Sequence, residues 1–184
     1  MALELGPCGV FFGTAGAEVD LGKTLGGVSI KITDDSVDLK SDQYGTGPED
    51  SVITGTTVTV EMSLAEITFD DLAIALNQTK FGTLLTGGIP GESNVGTAML
   101  ANSDSLVLKK YVAGAVSATA TNHITFPAAH AVGDIELSYD ADNQRVMKVM
   151  FKCFPLEVAA NWGTAVATTK KTVSYYFGNN AVAS

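Results

Sequence analysis

At 184 residues the chain has room for one domain with a sizeable core, and nothing in it argues for two. Charged residues make up 17% against a usual ~25%, while Gly, Thr, Val and Ala are plentiful, which favours a mostly β protein with much buried or self-associating surface. The net charge of −9 excludes a surface built to grip nucleic acid through a basic stripe, no apolar run approaches the ~20 residues of a membrane span, and residues 1–10 lack the basic start and apolar core of a secretory signal. The chain is therefore expected to be soluble and not exported.

The first elements are strands. Residues 8–14 and 26–32 read as two, the second with Val28, Ile30 and Ile32 alternating against Ser29 and Lys31. Asp34 and Asp35 break the run, and Val37 and Leu39 then resume alternation. This segment is placed to form a hairpin with a strand over residues 52–64, with residues 40–56 as its tip or an extended loop. That stretch is rich in Gly, Asp and Ser and contains Gly47-Pro48, both turn formers. A long loop of this kind in a compact domain is usually functional or disordered.

In the strand that follows, Thr57, Thr59, Glu61 and Ser63 alternate with Val58, Val60, Met62 and Leu64, so one face is buried and the other wet. Beyond Ala65 the period changes. Phe69, Leu72, Ala73 and Leu76 form a helical stripe, with Thr68 as its cap, Asp71 three residues later and Ile67 and Leu72 as a hydrophobic staple. Asp70 and Asp71 suit the positive end of the helix dipole, which explains them better than acid/base chemistry does.

After the helix, residues 82–96 contain Gly87-Gly88 and Pro90-Gly91 and read as a flexible connection, without phosphate-loop spacing. Strands are expected at 105–112, 123–126 and 134–139. A tight acidic turn over 140–143 leads into a strand over 145–154, where Met147, Val149, Phe151 and Cys153 oppose Val146, Lys148, Met150 and Lys152. Residues 172–177 close the set, and 178–184 form a loose tail.

The charge is lopsided. Residues 1–71 hold thirteen acids and three lysines, a net of −10, while residues 72–184 net +1. Lys109-Lys110 and Lys170-Lys171 are isolated pairs, read as solvated faces or partner contacts. Catalytic and metal chemistry finds no foothold. Asp140, Asp142 and Asn143 open like a calcium loop, but Arg145 and Phe151 stand where glycine and glutamate are required. Asp34, Asp35, Asp38 and Asp42 could gather round a cation, but read better as solvated turn carboxylates. His123, in a strand, and His130, in a loop, have no nucleophile or ligand set around them. Cys8 and Cys153 are the only cysteines, without metal-ligand spacing, and two buried reduced thiols are favoured over a single bridge. Trp162 and Tyr175-Tyr176 could stack on a sugar or base, but strand aromatics usually belong to a core or subunit contact. No enzyme activity and no cofactor or metal is expected.

The stretch from residue 41 to 76 resembles the tail tube proteins of bacteriophages, the match including Gln43, Tyr44, Gly45, Pro48, Asp50, Val52, Gly55 and Glu66. Residues 135–155, IELSYDADNQRVMKVMFKCFP, resemble that family's late strand pair. The resemblance implies a mainly β, sandwich- or barrel-like subunit with one short flanking helix. Its sheets would join across subunits into hexameric rings stacked head to tail as a hollow conduit for genome ejection. The whole chain, 1–184, would be one tail-tube domain of the virion, assembled in the host cytoplasm. Its partners would be itself and other tail proteins such as the tape measure, terminator and baseplate or tip. DNA would pass without specific binding, and no membrane is involved. Asp42, Gln43, Tyr44, Gly45, Pro48, Glu49 and Asp50 become candidates for the inter-ring stacking loop, and Thr57, Thr59, Glu61 and Ser63 for an acidic, polar lining of the lumen. The alternative is that this second face packs on a neighbouring subunit. The tube protein of a type VI secretion or other contractile injection system shares this fold and is the nearest alternative. A monomeric β-sandwich binding module competes from another class.

Overall fold

Val58, Val60, Met62 and Leu64 are buried, Thr57 and Glu61 are exposed and Thr59 and Ser63 are half-buried, so the alternation of this strand becomes the inside and outside of a sheet. The computed structural model describes residues 7–40, 47–65, 98–112, 114–132, 146–159 and 170–178. In chain order the strands are β1 (Cys8–Gly13), β2 (Val19–Asp20), β3 (Thr24–Leu39), β4 (Asp50–Leu64), β5 (Asp104–Val112), β6 (Ala115–Val116), β7 (His123–Val132), β8 (Met147–Cys153), β9 (Leu156–Ala159), β10 (Lys170–Val173) and β11 (Tyr176–Phe177). Two short 3-10 turns, Leu100–Asn102 and Ala120–Asn122, precede β5 and β7. The expected mainly β class is observed.

Nine strands form one antiparallel sheet in the order β2-β1-β5-β7-β8-β4-β3, with β6 beside β5 and β11 beside β7; β9 and β10 pair separately. The two ends of this path are neighbours in sequence. Only residues 21–23 separate β2 from β3, a span of at most ~14 Å. The sheet must therefore curl until its ends approach each other. The link is fastened on both sides, since the Leu21 amide donates to the Val10 carbonyl (2.9 Å) and the Ala65 amide to the Lys23 carbonyl (2.8 Å). Leu21 itself is buried in the core.

Inside the curl lie Val10 and Phe12 of β1, Leu106 and Leu108 of β5, Phe126 of β7, Met147, Val149 and Phe151 of β8 and the four apolar residues of β4. Phe12 and Phe151 stack with ring centroids 5.0 Å apart. Each such side chain contributes about 1.5–3 kcal/mol on leaving water.

Several expectations are corrected. Asp34 and Asp35 do not break β3, which runs from Thr24 to Leu39. The 40–56 loop is shorter than expected, because Asp50–Thr56 are already strand, paired to β3 from Leu39↔Asp50 onward. The strand begun at His123 continues past Phe126 and Pro127 to Val132, so His130 stands in a strand and not in a loop. Its passage through Pro127 has a reason: Ser105 faces both Pro127 and Ala128 in a bulge, where the missing proline amide is not needed. The 172–177 strand is divided, Lys170–Val173 pairing with β9 and Tyr176–Phe177 with β7. Gly178, expected in a loose tail, donates its amide to the His123 carbonyl (2.9 Å). The helix near 68–76, the connection 82–96, the strand 134–139, the turn 140–143, Trp162 and residues 179–184 lie outside the described residues.

Candidate assembly surface

β8 covers β4 only over Val58–Leu64, yet β3 and β4 remain paired to Leu39↔Asp50. The remainder, residues 33–39 with 50–57, projects past the sheet as a two-stranded arm of about 25 Å. Its end is closed by the Glu49 amide donating to the Leu39 carbonyl (2.8 Å). Of the expected stacking-loop residues, Pro48, Glu49 and Asp50 sit at this tip; Asp42, Gln43, Tyr44 and Gly45 lie outside the described residues.

Two carboxylates of the arm, those of Asp34 and Asp38, are held by cross-strand hydroxyls. Thr56 Oγ1 donates to Asp34 Oδ1 and Ser51 Oγ to Asp38 Oδ1, both at 2.6 Å, and Thr54 Oγ1 to the Asp35 carbonyl at 3.1 Å. Asp50 accepts from the Ser51 amide at 2.8 Å. No group of three or more His, Cys, Asp or Glu side chains among the described residues is placed to hold a metal ion.

The apolar pattern changes sides along the arm. In the body, Ile30 and Ile32 pair with the buried Val60 and Val58 and share their face, though at the sheet edge they are themselves exposed by 36% and 42%. Beyond Asp34 the apolar residues of β3 are Val37 and Leu39, of opposite parity, and so on the outer face. On β4 a one-residue bulge at Thr54, between the pairs Asp35↔Gly55 and Ser36↔Ile53, shifts the phase so that Val52 joins Val37. Had Thr54 been paired in regular alternation, Val52 would share the face of Val58. The outcome is an outer apolar row of Val37, Leu39 and Val52, exposed by 54%, 50% and 47%, with none of the described core residues against it, while Ile53, opposite Ser36, lies on the other face, exposed by 64%. On β3 the sequence carried the signal in the switch from even to odd apolar positions, which reading Asp34 and Asp35 as a break in the run concealed.

The outer face at the root of the arm holds the candidate lining residues Thr57, Thr59, Glu61 and Ser63 in register with Thr33, Lys31 and Ser29 on β3 and with Lys152, Met150 and Lys148 on β8. Among the described residues of this face, three lysines, Lys31, Lys148 and Lys152, stand around one glutamate. Next to it, the pairs Thr24↔Leu64 and Val28↔Met62 leave Leu25, Gly26 and Gly27 opposite Ser63 alone. Gly26 and Gly27 take φ of +80° and +89°, open to glycine and strained for other residues. This wide bulge borders an open cavity of about 440 Å³ lined by Leu25, Ser29, Glu61, Val132, Lys148 and Met150 among others.

The remaining candidates are structural. The His123 Nε2–H donates to the Ser117 carbonyl (2.8 Å) and the His130 Nδ1–H to the Asn102 carbonyl (3.2 Å), His130 being buried. Cys8 and Cys153 are unbridged. Burial pushes the Cys8 thiol up and that of Cys153 up to about 12, so neither is an activated nucleophile. Tyr175 packs edge-on to Phe177 (5.7 Å) and near Phe126 (6.4 Å). Lys109 lies 3.9 Å over the Phe11 ring.

No family model and no curated protein matches the chain. Among solved structures, a chain from the virion of a native gene transfer agent particle is similar at a TM-score of 0.47 and 7% identity, covering 94% of this chain and 99% of that one.

Proposed function

We propose that the protein is a structural subunit of a phage-type tail tube, built to join copies of itself into rings and stack them into a hollow conduit. One observation carries this reading: the arm of β3 and β4 leaves the sheet with an apolar row that none of the described core residues covers. The other features agree. β3 is a sixteen-residue edge strand whose backbone groups are paired on one side by β4, and such an edge invites a further strand. The arm and the body are different surfaces, so contact between them is heterologous and propagates as a ring or a filament. The sequence resemblance to tail tube proteins supplies the biological setting, with DNA passing through the assembly unbound.

The experiment is size-exclusion mass together with negative-stain microscopy of the purified chain. Rings or tubes are the expected result. A strictly monomeric species at high concentration and moderate salt would refute the proposal.

A further inference from the structure

We propose that the arm of one copy seats in the cavity on the Glu61 face of the next copy. The inference rests on the reading of the chain as a self-assembling subunit and names the surface that receives the arm. Three observations point there.

The first is shape and polarity. The cavity, about 440 Å³, presents apolar surface from Leu25, Val132 and Met150 within a polar rim. An apolar cavity of ~150 Å³ takes a benzene-sized group, so this one has room for two or three of the arm's side chains. Val37, Leu39 and Val52 lie in a single row and need such cover.

The second is charge. Asp35 and Asp50 share the outer face of the arm with that row, while Lys148 lines the cavity and Lys31 and Lys152 stand on the same face of the sheet. Acid therefore meets base when arm and cavity come together, and like charge discourages arm against arm.

The third is geometry. Glu61 and Val52 lie on one strand, nine residues and roughly 30 Å apart, so an arm cannot reach its own cavity. The occupant comes from another copy. This docking places the face of Thr59, Glu61 and Ser63 in a contact between copies and not on a lumen.

The test is a cross-link between two separate chains, one carrying Leu39→Cys and the other Met150→Cys, mixed in solution with copper phenanthroline as oxidant. Both positions are outside the core, and both native cysteines are retained in every sample. A disulfide-linked heterodimer should appear at least tenfold faster than dimers of either variant alone at the same total concentration. No excess over the single-variant samples overturns the docking. Charge gives a second readout: Lys148→Glu with Lys152→Glu on the Met150→Cys chain should slow the cross-link at least fivefold, and Asp35→Lys with Asp50→Lys on the arm chain should restore it. Unchanged rates overturn the charge pairing. Tubes by microscopy without the cross-link leave the tube reading standing and remove the docking; the cross-link without tubes does the reverse.

Discussion

Gly26 and Gly27 show how a residue without a side chain can shape a surface. With φ near +80° to +90° they let three residues of β3 bulge opposite one of β4, and a Cβ at either would meet no neighbour within 4 Å. The obstacle to substitution is therefore backbone strain alone. Gly26→Ala should cost about 1–2 kcal/mol in urea unfolding of the unassembled chain, whereas Gly47→Ala, in open space and without positive φ, should stay within about 0.5 kcal/mol. Cys153 allows a second prediction at this scale. Its thiol titrates near 12 in the fold against 9.0 in an unfolded chain, so above pH 9 the unfolded state sheds a proton that the folded state keeps. Stability from this group is complete below pH 9 and falls as pH rises from 9 toward 12. Wild type should lose stability more steeply than Cys153→Ala between pH 8.5 and 10.5, and alkylation of Cys153 at pH 8 should be slow until the chain is unfolded. The thiol's burial was legible in the sequence, since Cys153 continues the series Met147, Val149, Phe151; the glycine bulge was not, because a Gly-Gly pair signals freedom without saying where it is used.

At the scale of elements, the regularly alternating strands facing the core were legible, whereas the continuation of β7 beyond Pro127 and the unbroken passage of β3 into the arm were not. β4 and β8 alternate because one face of each must be buried, and residues 58–64 and 147–153 follow that pattern without exception. β3 passes through Asp34 and Asp35 because in the arm neither face is buried, so a carboxylate costs no desolvation and gains a hydroxyl partner from the opposite strand. The same freedom makes the arm separable from the body. Replacing Val37 and Leu39 with Ser should leave the unfolding midpoint of the monomer within about 0.5 kcal/mol of wild type, since neither touches the core, while abolishing the growth of assemblies seen by light scattering. A large loss of monomer stability would place these residues in the subunit's own core.

At the scale of the molecule, the described residues form a curled nine-stranded sheet whose ends are tied by residues 21–23 and whose acidic arm stands apart from a face with three lysines. Curling was not readable from the sequence, because closure depends on which strands become neighbours and not on the pattern within any one of them. The charge imbalance between the two parts of the chain was readable, and the fold adds that Lys31 belongs with Lys148 and Lys152 despite its place in the acidic part. If arm and face attract, their association weakens as salt shortens the screening length from ~10 Å at 0.1 M to ~3 Å at 1 M. The protein concentration at which sedimentation first detects assemblies should rise several-fold over that range; an unchanged or lower threshold would mean that apolar burial alone drives the contact.

A further property follows from the direction of the arm. Its two strands run lengthwise out of the sheet, and the hydrogen bonds between them lie across that direction. Tension that draws neighbouring copies apart along the arm would load these bonds side by side in shear instead of peeling them one after another. The rungs from Asp50 to Leu64 would share the pull and carry it into β8, so a joint that looks slender by its cross-section has the mechanical build of a rope splice.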